Sequence, residues 1–312
     1  MHHDNSQVIP LRLKQIQDFV LVIETGSIRG AARKLGVSQP AITKSVRNLE
    51  SELHAQLVKR TPHGIVPTAA GRAFFARARV AQTELRKAQE EVTQLGGEGL
   101  GSVAVGSGPL GMLLIVPEAV ARFRQQFPMV SIRIVEAFST SFLPLVRDET
   151  LDLAIGTRTA DKLDPAIAFR PLFRNEFVIA ARKGHPMCNA RSLAQLASAD
   201  WIVPLRGGPI QRAFASANIP LPRQVVYCES YSTIIALLAK TDMLAISSRA
   251  ILAASFAGGL LQPIAVAESM PVYTLGMFTR IDPPLTSAAA AMAKAVTVVA
   301  RSLARSIHAD GR

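Results

Sequence analysis

The chain has 312 residues, 49% of them hydrophobic and 19% charged, which supplies ample material for folded cores and excludes a disordered or fibrous class. Its 35 Lys and Arg outnumber 23 Asp and Glu, and the net charge of +12 suits a polyanionic partner without locating the contact. Two cysteines exclude a disulfide framework and fit a reducing compartment.

Leu13, Ile16, Val20 and Ile23 recur at three- and four-residue steps, which predicts a first helix burying one stripe. Gly26 ends it. Ser27 then caps a second helix over residues 28–35, and Gly36 suits the left-handed turn after it. Ser38 caps a third helix, with Pro40 in the first turn, where a missing N–H costs little. Ile42, Val46, Leu49 and Leu53 form its buried stripe. Pro40, Thr43, Lys44 and Arg47 therefore lie away from the core, and Gln39 sits at the exposed N-terminal end. Two short helices around a tight turn, the second with a basic outer face, are the pattern of a helix-turn-helix that enters the major groove. Gln and Arg read adenine and guanine edges, while Lys and Thr suit phosphate or mixed contacts. A solvated helix face is the plainer alternative. Local charge favours DNA: Arg29, Arg33, Lys34, Lys44, Arg47, Lys59 and Arg60 face only Glu50 and Glu52 between positions 29 and 60.

Three runs then carry a family resemblance: Ala31-Ala32-Arg33-Lys34-Leu35, Val37-Ser38-Gln39-Pro40-Ala41-Ile42-Thr43 and Leu49-Glu50-Ser51-Glu52-Leu53. With Leu57-Val58-Lys59-Arg60, a turn around His63-Gly64 and Pro67-Thr68-Ala69-Ala70-Gly71, they resemble the N-terminal domain of LysR-type transcriptional regulators. Leu57-Val58-Lys59-Arg60 departs mildly from the family's Leu-Phe-x-Arg but keeps the apolar pair and the arginine. The resemblance implies a β-wing before a long helix, with Lys59, Arg60 and His63 over phosphates or the minor groove. It also implies that Gln39, Pro40, Thr43, Lys44 and Arg47 carry readout, with Arg29 and Ser38 bracing the DNA backbone.

Phe74, Ala78, Ala81, Leu85, Ala88, Val92 and Leu95 alternate four- and three-residue steps, a heptad seam suited to pairing two helices. A helix lying on its own chain's core remains the alternative. A homodimer is what a pseudo-palindromic operator in double-stranded DNA requires. The resemblance adds antiparallel pairing, tetramers and contact with RNA polymerase. Gly96-Gly97-Glu98-Gly99 ends the helix as a hinge.

Beyond residue 100, β-branched runs at 103–105, 132–135, 153–155, 177–179, 201–203, 224–227, 244–246 and 272–275 alternate with helical stretches, an α/β pattern with mainly parallel sheets. The resemblance implies an α/β sensor of two periplasmic-binding-protein-like lobes. The organisation expected is a winged helix-turn-helix at 11–68, a linker helix at 69–96 and an effector-binding domain at 100–312. Lobe I would span 100–169 plus 271–312 and lobe II 172–269, with crossovers near Arg170-Pro171-Leu172 and Ser269-Met270-Pro271. A helix at 285–306 would return to cover lobe I.

Ligands in such folds sit at the carboxyl ends of strands, facing helix N-termini. Four turns there carry small polar residues: Ser107-Gly108-Pro109, Ser139-Thr140-Ser141, Arg206-Gly207-Gly208-Pro209 and Glu229-Ser230-Tyr231-Ser232-Thr233. Backbone N–H groups, hydroxyls and Arg206 would cradle a small organic anion, with Phe138, Phe142 and Tyr231 as candidate aromatic walls. Helix caps are the alternative use of each turn. Arg86-Lys87-Ala88-Gln89-Glu90-Glu91 and Cys228-Glu229-Ser230 resemble a subgroup responding to aromatic sulfonates.

An α/β enzyme or a solute-binding protein for a small organic acid is the rival class. No Gly-x-Ser-x-Gly, Gly-x-x-x-x-Gly-Lys or His-Glu-x-x-His occurs, so neither enzyme nor cofactor is expected. The start Met1-His2-His3-Asp4 lacks an export signature, and a cytoplasmic location is expected. The apolar stretch 234–261 is broken by Lys240, Asp242 and Arg249, and 288–300 carries Lys294, so no membrane span is expected. His185 and Cys188 do not close a metal site, and the Cys188–Cys228 pair leaves a redox role or two separate thiols open.

Overall fold

The computed structural model describes residues 11–62, 64–95, 101–158, 163–204, 208–222, 225–254 and 259–310. They fall into two compact units, Met1–Val92 with Asp148–Thr150, and Thr93–Arg147 with Leu151–Arg312. Each is described by itself.

The first unit opens with α1 (Leu13–Thr25), α2 (Ile28–Leu35) and α3 (Gln39–Glu52). The turn chemistry is local. Gly26 and Gly36 take left-handed φ of 63° and 66° after α1 and α2. Ser27 Oγ accepts from Gly30 N at 2.9 Å, and Ser38 Oγ from Ala41 N at 3.4 Å, so both expected caps are present. The stripe of α1 differs from expectation. Phe19, Val20 and Val22 are buried with Gln15 and Asp18, whereas Leu13 is 41% exposed. Polar residues hide that face in the sequence: Gln15 donates to Glu52 Oε1 at 3.0 Å, and Asp18 pairs with Lys14 at 3.3 Å. Ile42, Val46 and Leu49 of α3 complete the core with Ala31, Ala32 and Leu57.

A two-stranded wing comes next, β1 (Val58–Thr61) antiparallel to β2 (Gly64–Pro67), then α4 (Ala69–Leu95). Thr68 is the pivot between wing and helix. Its N–H donates to Leu57 O at 2.9 Å, its hydroxyl donates to Gln56 O at 2.7 Å, and the same oxygen accepts from Gly71 N at 2.9 Å. Gly71 lies so close that an added Cβ would stand 1.9 Å from Leu57 O. Phe74 and Phe75 then meet Phe19 edge-on at 5.5 and 6.5 Å. Residues 96–99, expected as a hinge, lie outside the described residues.

The second unit is built on one sheet with two halves. On one side β3 (Ser102–Ser107) lies parallel to β4 (Ser131–Glu136) and β5 (Leu153–Thr157). On the other, β7 (Trp201–Val203) lies parallel to β8 (Val225–Tyr227) and β9 (Leu244–Ser248). Two long strands join the halves: β6 (Ile167–Arg182) and β11 (Val272–Arg280). Their pairings with β5, β9 and each other are antiparallel, as is that of β10 (Leu261–Ile264) with β6, so the sheet is mixed and not mainly parallel. Residues 170–172, expected as a crossover, run inside unbroken strand. The change of partner falls at Glu176 and Phe177, where β6 leaves β11 for β9.

Among the described residues, seven helices cover the sheet halves in chain order: α5 (Pro109–Leu114), α6 (Val116–Gln126), α7 (Ser139–Arg147), α8 (Leu193–Leu196), α9 (Pro209–Ser216), α10 (Tyr231–Lys240) and α11 (Arg249–Ala253). The last helix, α12 (Ser287–Asp310), packs Ala288, Met292, Val296 and Val299 onto Phe123 and β3. Despite Lys294 it is long and apolar enough to cross a membrane, and 44% of its apolar window is buried in this core. His185, 2% exposed, accepts from Met187 N at 3.0 Å and reaches Asp242 O at 2.9 Å, the role of a loop brace. Cys188 and Cys228 are both free thiols.

Because the Leu57 carbonyl is backbone, it cannot yield to a new methyl. Gly71→Ala should destabilise the first unit by about 3 kcal/mol. Urea unfolding monitored by circular dichroism would check this, and an unchanged midpoint would refute the close approach.

Candidate DNA-reading face and ligand cleft

The first candidate surface is the outer side of α3 with its flanks. Ser38, Gln39, Pro40, Lys44 and Arg47 are exposed, Thr43 is half-buried, and Arg29, Lys59 and Arg60 are exposed beside them. The side chains of Arg29, Gln39, Thr43, Lys44, Arg47, Lys59 and Arg60 have no hydrogen bond or ion pair among the described residues. His63 lies outside those residues.

Two tethers fix this face. Glu50 Oε1 accepts from Leu57 N at 2.8 Å and from Val58 N at 3.1 Å, tying α3 to the start of β1. Ile65 N donates to Gly26 O at 2.8 Å, tying β2 to the α1–α2 turn. Gly64 permits that approach, since a Cβ there would lie 2.6 Å from Gly26 O. Wing and third helix therefore present their cations as one surface.

The second candidate is a cavity of about 230 Å³ in the sensor unit. Its walls come from both sheet halves and from the strands that join them. Gly108 and Pro109 enter at the start of α5, and Gly208 and Pro209 at the start of α9, equivalent places after β3 and β7. Tyr231 enters from the first turn of α10, and Phe138 from just before α7. Other expected residues stand elsewhere. Ser107 is fully buried, and its hydroxyl donates to Gly108 O at 3.0 Å and Ile155 O at 3.3 Å. Ser141 and Glu229 are exposed and outside the lining. Ser230 caps α10, accepting from Thr233 N at 3.4 Å. Phe142 is packed in the core. Arg206 and Gly207 lie outside the described residues, as do the side chains of Ser139 and Thr140, which begin α7.

Several lining residues are not legible as such in the sequence. Asn175 on β6, Ser247 and Ser248 at the end of β9, Arg212 on α9 and Tyr273 on β11 all face the cavity. Only the strand runs containing Phe177 and Tyr273 could have drawn attention to them. Ser248 Oγ donates to Asn175 Oδ1 at 2.6 Å. The Tyr231 and Ser247 hydroxyls are hydrogen-bonded to each other. Burial pushes the Tyr231 phenol up to about 12, only partly offset by Ser247. Burial likewise raises Tyr273, opposed by the Arg212 guanidinium, which lies 5.2 Å from its ring centroid.

Tyr231 carries a pH signature. An unfolded phenol ionises near 10, whereas the folded one keeps its proton to about 12. Its stabilisation is complete below pH 10 and is lost as pH rises from 10 to 12. Tyr231→Phe should flatten the fall of urea midpoint above pH 10 by one proton's worth of slope; identical slopes would count against this environment.

Comparison with known proteins identifies both parts of the chain. The model for the bacterial regulatory helix-turn-helix protein, lysR family, matches residues 13–72, and that for the LysR substrate binding domain matches residues 96–300. The HTH-type transcriptional regulator GalR of Pseudomonas putida is 31% identical over 272 residues, 86% of this chain and 68% of that relative. The HTH-type transcriptional regulator TdcA of Escherichia coli is 30% identical over 199 residues, and the match spans 64% of each chain. Among solved structures, full-length CbnR, a LysR family transcriptional regulator, in complex with its target DNA has a TM-score of 0.67 at 19% identity, covering 93% of this chain and 100% of that one. The chain belongs to the LysR family of ligand-responsive, DNA-binding transcriptional regulators.

Proposed function

We propose that the outer face of α3 reads an operator, with Gln39, Pro40, Thr43, Lys44 and Arg47 meeting base edges and phosphates in the major groove. Arg29 and Ser38 brace the DNA backbone, and Lys59 and Arg60 of the wing add sequence-independent affinity. The observation that carries this is the cluster of exposed cations and amide on one surface, all without partners among the described residues. Leu85 and Val92 on the seam of α4 are 47% and 69% exposed, an apolar face that supports pairing of two copies on a pseudo-palindrome. Tetramers and contact with RNA polymerase extend that reading. The work is regulatory, not catalytic, and takes place on DNA in the cytoplasm.

We further propose that the sensor cavity takes a small organic anion. An engineered cavity of about 150 Å³ holds benzene, so one of about 230 Å³ has room for a single ring with a substituent. Gly108, Pro109, Gly208 and Tyr231 contribute to its walls. A ligand touching both sheet halves favours one spacing of the lobes, and through it one arrangement of subunits on DNA.

Arg47→Ala should cost about 1–3 kcal/mol of specific over non-specific binding. Fluorescence anisotropy with operator and scrambled duplexes measures this at one salt concentration. Equal losses on both duplexes would make Arg47 a phosphate anchor and remove its reading role.

A further inference from the structure

The sensor cavity has a polar pole whose chemistry narrows the ligand, on the reading that this cavity is the effector site. Asn175 and Tyr273 are direct cross-strand partners of β6 and β11, so their side chains leave the sheet on one face. Phe177, two residues beyond Asn175, shares that face and meets the Tyr273 ring edge-on at 5.5 Å. Ser248 stands opposite Phe177 in the β6–β9 pairing and donates to the Asn175 carbonyl oxygen.

Asn175 is 3% exposed and lines the cavity, yet its amide NH2 finds no partner among the described residues. That amide opens onto the cavity and offers two donors to an acceptor placed there. Arg212, over Tyr273, is the one charged side chain among the described lining residues. Away from this pole the walls are apolar: Leu110, Phe138, Ile202, Ile251 and Leu275.

We propose that the effector is a monoanion with an apolar, single-ring-sized body, its acid group held by the Arg212 guanidinium and the Asn175 amide. One cation balances one charge. A second carboxylate would be desolvated against apolar walls without a partner, and a neutral isostere would forgo the charge-assisted contact with Arg212, which is exposed at the edge of the cavity. The phenol of Tyr231 stays protonated through the physiological range and so adds no competing charge.

Isothermal titration of the full-length protein tests this with benzoate, cyclohexanecarboxylate, phenylacetate and benzenesulfonate, against benzamide and phthalate. At least one monoanion should bind about tenfold or more tighter than benzamide and phthalate. Arg212→Met should weaken that monoanion about tenfold and leave benzamide unchanged, while Arg212→Lys restores part of the loss. Asn175→Asp, close in shape, should abolish monoanion binding while the circular dichroism spectrum shows the fold retained. Equal affinity for acid and amide, no loss in Arg212→Met, or no monoanion binding at about 10 mM would overturn the proposal. Thr157→Trp, which fills the cavity, separates the two readings. Monoanion binding that survives Thr157→Trp defeats the cavity as the site, whereas binding lost there but intact in Arg212→Met defeats only the charge assignment.

Discussion

The reading head depends on how Glu50 is shared. It belongs to α3 by sequence, yet its carboxylate accepts two N–H groups from the strand that begins the wing. Charge-assisted bonds of this kind are about twice as strong as neutral ones. The carboxylate therefore fixes the angle between the helix that carries Gln39 and Arg47 and the wing that carries Lys59 and Arg60.

The rest of the first unit reinforces that constraint through backbone. Thr68 closes the wing onto Leu57 and caps α4 with one hydroxyl, and Gly71 lets α4 approach the same carbonyl. Few of these contacts are apolar. The core of Phe19, Ile42, Val46 and Leu49 supplies the stability, while the polar ties supply the register between elements.

Legibility in the sequence tracks the range of the interactions. Caps at Ser27 and Ser38 and left-handed glycines at 26 and 36 are decided within three or four residues, and local pattern is enough for them. The buried face of α1 is concealed because Gln15 and Asp18 look like surface residues until their partners Glu52 and Lys14 are seen. In the sensor, the strand runs are legible, but the continuity of β6 across residues 170–172 is not, since Pro171 reads as a break. Its pairing shows how that is tolerated: a register shift between Leu275 and Gly276 of β11 falls opposite Pro171 and Phe173.

The cavity extends this contrast to longer range. Glycine–proline helix starts at 108–109 and 208–209 announce themselves by type and position. Asn175, Ser248 and Tyr273 gain their meaning only from pairings across seventy or more residues, which no local pattern encodes. The strands that carry Asn175 and Tyr273 are also the ones that join the two halves of the sheet. Quantitative footprinting of the full-length protein on the DNA upstream of its own gene tests the central claim most directly. Two protected half-sites, centred about 10 base pairs or a multiple apart, are the predicted result. Uniform or absent protection at modest ionic strength, with and without small organic acids, would contradict it.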